Sequence, residues 1–360
     1  MTDSPFLTLH EIVKKARQKL NHDNWDYIVG GVETETTLRR NRLALDTIAF
    51  RPRILRDVSK IDMSKDFLGR KLRLPVILAP VGSLENFTPE GGAASAKAAQ
   101  EFGVVHMLSS VCEPGMEAVA QAAPDAARIF QLYVRGDGNW VDAVAERAVA
   151  AGNLAFCLTL DTASYSRRER DIAKRNMRRA NVPGREHQAR LSWSDVARLK
   201  KKFPIPLILK GIATAEDATL AVEHGVDVVY VSNHGGRQLD HGRGSMDVLP
   251  EVVKAVAGRA RIVVDGGINR GTDIVKALAM GADMVGMGRM QCFGLAAGGQ
   301  AGLVRVLELL EEEVRICLAL LGATSWAGLD RSYLHPAPAV GPSETLGAFP
   351  HLALDEKSFY

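Results

Sequence analysis

Short apolar runs alternate with helix-like segments along most of the 360-residue chain. Eight runs have the length and composition of buried strands, at residues 74–80, 104–108, 127–134, 154–160, 205–211, 226–232, 261–267 and 282–288. Because successive positions in each run are apolar, both faces of the strand must be covered, which is typical of a parallel sheet packed against helices. The pattern therefore predicts an α/β protein.

The segments between the runs have helical composition, most clearly at 89–103, 138–152, 214–225 and 271–281. Each of these four ends in the residue that most often stops a helix: Gly103, Gly152, Gly225 and Gly281. Eight strand–helix units favour a closed (β/α)₈ TIM barrel over an open doubly wound sheet.

We predict one domain over residues 1–360 with three parts. Residues 1–70 form an N-terminal extension that begins as helix, and residues 71–322 form the barrel. Residues 323–360 are rich in proline, glycine and alanine and are expected to form a surface tail or a partner contact.

Composition and charge exclude several classes of function. Hydrophobic residues make up 46% of the chain and charged residues 24%, which is ordinary for a globular protein. The net charge is +3 and no dense lysine–arginine block is present, so no nucleic-acid surface is expected. No uninterrupted apolar run reaches the length of a membrane span, and charges throughout residues 1–20 argue against a secretory signal.

The cysteines are widely spaced and form no Cys-x-x-Cys pair: Cys112, Cys157, Cys292 and Cys317. This spacing argues against a zinc site and against a disulfide framework, and it fits a reducing compartment. We therefore predict a cytoplasmic protein without a bound metal.

Polar side chains of catalytic type follow seven of the eight predicted strands. They are Ser109, Gln131, Tyr133, Thr159, Asp161, Lys210, His234, Arg237, Asp265 and Arg289. In a (β/α)₈ barrel the carboxyl ends of all strands meet at one face, where the active site is built. The barrel prediction therefore brings these side chains to a common site.

Two neighbouring glycine-rich turns have the form of a phosphate site. The segments "VVDGGINRGTDIVKAL" (263–278) and "VGMGRM" (285–290) each lead from a strand into a helix. Exposed backbone N–H groups and a helix N-terminus attract phosphate, and Arg289 could pair with it through two hydrogen bonds. Tight-turn glycines without a ligand are the alternative.

The segment "VSNHGGRQLD" (231–240) ends a strand with an imidazole and a guanidinium. His234 is the best candidate for a general base, because imidazole titrates near neutral pH, and Arg237 offers a planar fork to a carboxylate. Asp161 could orient His234 or cap a helix. Lys210 could form a Schiff base, place charge beside a cofactor, or form a structural ion pair.

Together these motifs resemble the FMN-dependent α-hydroxy acid dehydrogenase/oxidase family, which includes glycolate oxidase, lactate oxidase, mandelate dehydrogenase and the flavin domain of flavocytochrome b2. The matching segments are "WDYIVGGVETETTLRRNRLAL" (25–45), "FRPRILRDVS" (50–59), "FQLYV" (130–134), "LTLDT" (158–162), "LILKG" (207–211), "SNHGGRQ" (232–238) and "DGGINRGTD" (265–273). They follow one another in the family's order over nearly the whole chain.

The resemblance implies a barrel that binds FMN at its mouth. Backbone contacts to the flavin are implied for Pro80, Val81 and Gly82, and polar contacts for Ser109, Gln131, Thr159 and Ser232. Lys210 would lie beside flavin N1. The ribityl chain and phosphate would be held by Asp265, Gly266, Gly267, Asn269, Gly288 and Arg289.

The resemblance also implies the reaction, which is oxidation of an L-2-hydroxy acid to the 2-oxo acid. His234 would take a proton with Asp161 as its partner, and the substrate would be held by Tyr27, Tyr133, Arg168 and Arg237. The electron acceptor is expected to be oxygen, a quinone or a carrier protein, and the assembly a homotetramer or octamer. A flavin-free barrel such as a Schiff-base aldolase using Lys210 is the alternative, followed by a non-catalytic binding protein.

The chain departs from the family pattern at several positions. Asn269 stands where relatives commonly have an arginine near the phosphate, which Arg270 could replace. Val111 replaces a bulky aromatic residue and predicts a larger substrate pocket, together with the unusual "VGSLENF" (81–87). Gly82 favours a dehydrogenase, because many oxidases have alanine there. The short loop at 172–193 predicts a protein without membrane contact.

Overall fold

A computed structural model describes residues 6–175 and 182–352 of the chain, and eight of its strands close into a parallel barrel. The strands are β1 Ile48–Phe50, β2 Lys65–Phe67, β3 Arg70–Leu72, β4 Val76–Leu78, β5 Val105–Ser109, β6 Ala127–Leu132, β7 Ala155–Thr159, β8 Leu207–Ile212, β9 Val228–Val231, β10 Arg261–Val264, β11 Met284–Met287 and β12 Leu334–Pro336. The barrel runs in chain order from β4 to β11, and β11 pairs with β4 to close it.

Helices surround the barrel. They are α1 Leu9–Lys19, α2 His22–Val29, α3 Thr36–Asp46, α4 Gly91–Phe102, α5 Met116–Ala122, α6 Gly138–Ala150, α7 Glu169–Ala173, α8 Arg185–Ala189, α9 Trp193–Lys202, α10 Ala215–Glu223, α11 Ser245–Val256, α12 Gly271–Ala279 and α13 Arg289–Leu321. All eight predicted strands and the four predicted helices overlap observed elements, so the predicted (β/α)₈ fold is confirmed.

Most predicted strands extend beyond the observed ones at the end that carries the site. The run 261–267 forms strand only to Val264, because Gly266 and Gly267 adopt φ values of +102° and +83°, outside the strand region. These two glycines turn the chain across the barrel mouth.

The N-terminal extension begins with three helices, as predicted, and α3 braces the barrel mouth. Arg42 on α3 forms a buried ion pair with Asp273 of α12 at 2.9 Å. Leu38 lies so close to the turn after β9 that a Cβ on Gly236 would stand 2.5 Å from its Cα. Glycine is therefore required at position 236 for this helix to pack against the catalytic turn.

The tail after residue 323 is tied to the extension. The strands β1 and β12 pair antiparallel, with Phe50 opposite Leu334. The loop predicted at 172–193 contains the end of α7 and all of α8, and residues 176–181 of it lie outside the described residues.

The last helix, α13, is long and apolar enough to cross a membrane by length and composition alone. However, 67% of its most apolar stretch is buried within the protein, where α13 packs against α1, α4 and α12. Gly298 and Gly299 also leave the helical conformation and divide it. Its apolar character therefore reflects packing around the barrel.

Gly286 of β11 lies against Tyr230 inside the barrel. A Cβ at position 286 would stand 1.8 Å from the Tyr230 hydroxyl oxygen and 3.0 Å from the Asp265 Cβ. Gly286→Ala is therefore expected to lower the free energy of unfolding by about 1–3 kcal/mol, because the buried ring has to move. Thermal denaturation measures this loss.

Two further variants complete this test. Tyr230→Phe in the Gly286→Ala background removes the colliding oxygen and should restore part of the lost stability. Gly328→Ala is the matched control, because no atom lies within 4 Å of a Cβ at that position. Unchanged melting of Gly286→Ala would contradict the packing described.

Candidate active site

A cavity of about 320 Å³ opens at the carboxyl ends of the barrel strands. Most of the residues predicted to hold a cofactor line it: Pro80, Val81, Gly82, Lys210, Asp265, Gly266, Gly267, Asn269, Gly288 and Arg289. The residues predicted to hold the substrate also line it: Tyr27, Tyr133, Arg168, His234 and Arg237. The structure therefore brings both predicted sets together at one mouth.

Four other predicted polar residues are buried at or just after the ends of barrel strands and do not line this cavity: Ser109, Gln131, Thr159 and Ser232. The Gln131 Nε2 donates a hydrogen bond to the Thr159 Oγ1 at 2.8 Å. Within the described part of the chain, the Gln131 Oε1 is buried without a hydrogen-bond partner. A buried amide oxygen of this kind requires a donor, which a flavin ring edge can supply.

His234 lies in a strained turn that carries it into the cavity. Three successive residues, His234, Gly235 and Gly236, have φ values of +59°, +65° and +76°. A left-handed conformation is uncommon for a residue with a side chain and concentrates at functional sites. The His234 N–H donates to the Ser232 Oγ at 3.1 Å, which holds the turn against the end of β9.

The imidazole of His234 lies between a carboxylate and a phenol. Its Nδ1 is 3.0 Å from the Asp161 Oδ1, and its Nε2 is 3.2 Å from the Tyr133 hydroxyl oxygen. A carboxylate at Nδ1 favours the tautomer with its proton there, so the Nε2 lone pair accepts from the Tyr133 hydroxyl at the cavity wall and is available to a substrate hydroxyl that replaces it. Asp161 therefore orients the histidine rather than capping a helix.

Burial decides the charge of the His234 imidazole. Burial lowers the pKa of His234 below its usual value of 6.5, although Asp161 acts in the opposite direction. At Asp161 burial acts to raise the pKa, but His234 and Lys210 together lower it. At neutral pH the pair is therefore a neutral imidazole beside a carboxylate, which is the state that a general base requires.

Lys210 is held as a cation at the end of β8. Its Nζ donates to the Ser232 Oγ at 2.7 Å and lies 3.4 Å from the Asp265 Oδ2. Burial acts to lower the pKa of Lys210, but Asp265 and Asp161 outweigh it, so that the pKa is raised. A Schiff base requires a neutral amine, so this environment opposes the aldolase alternative.

Arg237 carries a charge that no carboxylate balances within the described residues. Its Nη1 donates to the carbonyl oxygens of Tyr27 at 2.6 Å and Gly30 at 2.9 Å, while its Nη2 is buried without a partner. Burial and the neighbouring Arg168 lower the pKa of Arg237 to about 9. A buried guanidinium whose charge is not balanced is stabilised when an anion binds to it.

Arg289 is in a similar state close to Arg237, since both guanidinium groups donate to the Gly30 carbonyl oxygen. It donates to the carbonyl oxygens of Ile28, Gly30 and Gly235 at 2.9 to 3.1 Å. Burial lowers its pKa to about 10. Gly266, Gly267 and Gly288 line the same cavity. Exposed backbone N–H groups beside an arginine are a common arrangement for binding phosphate.

Arg270 does not take the place of the arginine missing at position 269. Its side chain forms an ion pair with Glu313 of α13 and donates to the Ala348 carbonyl oxygen at 3.3 Å. Asn269 itself lines the cavity, and its Nδ2 lies 3.5 Å from the Thr345 carbonyl oxygen. The expectation that Arg270 could substitute was therefore wrong, because α13 supplies a carboxylate that holds it.

Sequence reasoning missed several residues that line the cavity: Arg135, Tyr165, Arg185 and Gln238. Only Arg135 lies close to a predicted strand, since it follows the run 127–134 directly. Tyr165 and Gln238 come from loops and Arg185 from the start of the short helix α8, and no apolar pattern marks these positions.

The residues present fit an FMN molecule. Arg289 and the glycine turns match a phosphate, the Lys210 cation matches the flavin edge where charge accumulates, and Gln131 supplies an unpaired acceptor beneath the ring site. The unbalanced Arg237 lies beside His234, where a substrate carboxylate would place its α-carbon near the base.

Comparison with known proteins agrees with this arrangement. L-lactate oxidase from Nostoc sp. is 39% identical over 91% of this chain and 98% of its own length. Glycolate oxidase from Spinacia oleracea is 42% identical over 91% of this chain and 95% of its own length. A crystal structure of mandelate oxidase superposes with a TM-score of 0.86 at 36% identity, covering 93% of this chain and all of that one.

The family model for FMN-dependent dehydrogenases matches residues 16–185 and 173–336. The two matches together span most of the described chain and include every residue named above for cofactor and substrate. The chain belongs to the FMN-dependent dehydrogenase family.

Proposed function

We propose that the protein oxidises an L-2-hydroxy acid to the 2-oxo acid with FMN as its cofactor. One observation carries the proposal: an oriented neutral imidazole at His234 lies beside the unbalanced guanidinium of Arg237. The relatives named L-lactate oxidase and glycolate oxidase support the substrate class, and the first supports the L configuration.

The two arginines bind and orient the substrate carboxylate. Arg237 offers its unpaired Nη2, and Arg168 lies beside it, with its Nε 3.4 Å from the Arg237 carbonyl oxygen. A carboxylate held from two sides fixes the α-carbon in one position, and such positioning lowers the barrier to reaction. Tyr27 and Tyr133 also line the cavity in which this carboxylate would bind. Burial raises the pKa of Tyr133 to about 12, so its hydroxyl stays protonated. It donates to the His234 Nε2 in this structure and would turn to a substrate oxygen once the substrate hydroxyl takes its place at Nε2.

His234 then takes the proton of the substrate 2-hydroxyl at its Nε2. The resulting imidazolium is stabilised by Asp161 at Nδ1. Bound FMN supplies the two-electron acceptor for the α-carbon. Of the two hydrogens that the substrate loses, the hydroxyl proton is held on His234, and the α-hydrogen would leave with the two electrons to the cofactor.

Lys210 and the glycine turns would hold the cofactor. Lys210 places a fixed positive charge beneath the cavity, and the phosphate would lie at Arg289 with Gly266, Gly267 and Gly288. The backbone of Pro80, Val81 and Gly82 would support the ring.

Oxygen is proposed as the electron acceptor, and its two-electron reduction would give hydrogen peroxide. The relatives are named oxidases, which supports oxygen, whereas Gly82 favoured a dehydrogenase that uses a quinone or carrier protein. Aerobic incubation with single enantiomers of 2-hydroxy acids tests both points. Equal amounts of 2-oxo acid and peroxide from the L enantiomer would support the proposal, and 2-oxo acid without peroxide would require another acceptor.

The pH dependence of kcat/KM tests the role of His234. Protonated imidazole cannot accept a proton, so kcat/KM should fall at acid pH. Because the pKa of His234 is lowered by burial, the midpoint of this fall should lie below 6.5. Asp161→Asn removes the group that raises this pKa and should move the midpoint lower still. A midpoint above 7 in the unmodified protein would contradict the environment described.

A cytoplasmic homotetramer or octamer is proposed as the working form. All four cysteines are free thiols, which supports a reducing compartment. Ile54, Leu55, Ile316 and Leu320 are all exposed, and the segment of the first two is hydrogen-bonded to the end of α13, from Arg53 N to the Leu321 carbonyl oxygen at 3.1 Å. An exposed apolar cluster of this kind supports subunit association.

A further inference from the structure

Positive charge in the cavity exceeds what the proposed ligands require. Among the described residues that line it, one carboxylate, Asp265, faces six cationic side chains: Arg135, Arg168, Arg185, Lys210, Arg237 and Arg289. A phosphate would match Arg289, the 2-hydroxy acid carboxylate would match Arg168 and Arg237, and Lys210 is paired with Asp265. Arg135 and Arg185 then have no assigned anion.

These two arginines come together on the substrate side of the mouth. Arg135 lies two residues beyond Tyr133, and Arg185 begins α8. Gly184 packs directly on the backbone of Arg135, since a Cβ there would stand 2.2 Å from the Arg135 carbonyl oxygen. This contact fixes the start of α8 against the loop that follows β6.

The Tyr165 ring contacts both Arg185 and Arg168, one of the two arginines proposed to hold the substrate carboxylate. The Arg185 guanidinium lies 4.3 Å from the centre of the Tyr165 ring, and the Arg168 guanidinium lies 5.3 Å from the same centre. The ring therefore links Arg168, at the proposed site for the first carboxylate, to Arg185, a second positive charge next to that site. Stacking on an aromatic ring holds a guanidinium in place while its N–H groups stay available.

Among residues 6–175 and 182–352, no carboxylate forms an ion pair with Arg135 or Arg185, and none is among the groups that shift their pKa values. The sequence between them that the structure does not describe, residues 176–181, contains no acidic residue. The Arg185 Nε is buried without a partner in the described chain. Burial lowers the pKa of both groups, and Arg135 lowers that of Arg185 further.

We propose that the substrate is a 2-hydroxy dicarboxylic acid whose second carboxylate binds Arg135 and Arg185. This inference rests on the proposed function, which assigns the first carboxylate to Arg168 and Arg237. Val111 also lines the cavity, and its small side chain leaves room for a chain longer than that of glycolate or lactate. Two arginines at a partly buried site bind a carboxylate more tightly than they bind a methyl group of equal chain length.

A matched pair of compounds tests the proposal, L-2-hydroxyglutarate and L-2-hydroxypentanoate. They share a five-carbon chain and differ in whether it ends in a carboxylate or a methyl group. Anaerobic flavin reduction followed in a stopped-flow instrument should give a second-order rate constant at least tenfold higher for the diacid. Calorimetric titration with the products, 2-oxoglutarate and 2-oxopentanoate, should give tighter binding of the diacid by a similar factor.

Arginine variants separate a specific site from general attraction of anions. Arg135→Gln and Arg185→Gln should each reduce the diacid-to-monoacid ratio severalfold, and the double variant should bring it close to one. Arg190→Gln, an exposed arginine of the same segment that does not line the cavity, should leave the ratio unchanged. A ratio that falls equally in Arg190→Gln would mean long-range attraction only and would overturn the site.

The two proposals fail in different ways. If neither compound reduces the flavin and shorter 2-hydroxy acids also fail, the proposed function is wrong. If the monoacid reacts as well as the diacid, or if the ratio is the same in the Arg135 and Arg185 variants as in the unmodified protein, 2-hydroxy acid oxidation stands and the second carboxylate site is refuted.

Discussion

Replacing His234 with alanine is expected to abolish substrate oxidation while FMN remains bound. General base catalysis contributes about 10²- to 10⁴-fold to a reaction rate, and the Nε2 of His234 is the base directed at the substrate position. Rapid-mixing measurement of flavin reduction by a 2-hydroxy acid should therefore show a fall of at least that size. The absorbance of the purified variant reports whether FMN is retained.

His241→Ala is the matched control for this experiment. His241 is an exposed residue of the same loop, seven positions further on, and does not line the cavity. Its replacement should leave the rate of flavin reduction unchanged. Loss of FMN from the His234 variant, or a rate within a few fold of the unmodified protein, would count against the assigned role.

Arg237→Lys is expected to weaken substrate binding by about 100-fold although it preserves the charge. The carboxylate site depends on a planar fork whose Nη1 is anchored to two backbone carbonyl oxygens while Nη2 faces the substrate. A lysine ammonium is a compact charge that cannot make both sets of hydrogen bonds, and a lost charge-assisted bond costs roughly 1.5–3 kcal/mol. The KM for the 2-hydroxy acid and the Kd for its 2-oxo product measure the effect.

The same substitution at Arg261 provides the comparison. Arg261 forms an exposed ion pair with Asp283 at the start of β10, at the opposite end of the barrel from the site. Arg261→Lys should leave KM unchanged. An unchanged KM in Arg237→Lys as well would remove Arg237 from the carboxylate site.

The barrel could be predicted from sequence because its strands are apolar at successive positions and its helices end in glycine. Once a barrel was predicted, strand ends alone placed Asp161, Lys210 and His234 at one face, and they do lie there. The identity of the cofactor came from the family resemblance, since glycine turns and one arginine indicate phosphate without specifying a flavin.

Features that depend on distant partners could not be predicted in the same way. Arg270 lies next to Asn269 in sequence, but the carboxylate that holds it comes from Glu313, 43 residues away. The pairing of β1 with β12 joins Phe50 to Leu334 across almost the whole chain. Arg185 lines the cavity from the start of α8, a five-residue helix whose sequence shows no apolar periodicity, so only the folded structure places it beside Tyr165.

The absorbance spectrum of the pure protein under nitrogen, before and after addition of L- and D-2-hydroxy acids, tests the central claim most directly. We expect a flavin band that an L-2-hydroxy acid bleaches, that the D enantiomer leaves unchanged, and that returns when air is admitted. A protein that shows no flavin band even after FMN is added, or whose flavin no 2-hydroxy acid bleaches, would contradict it.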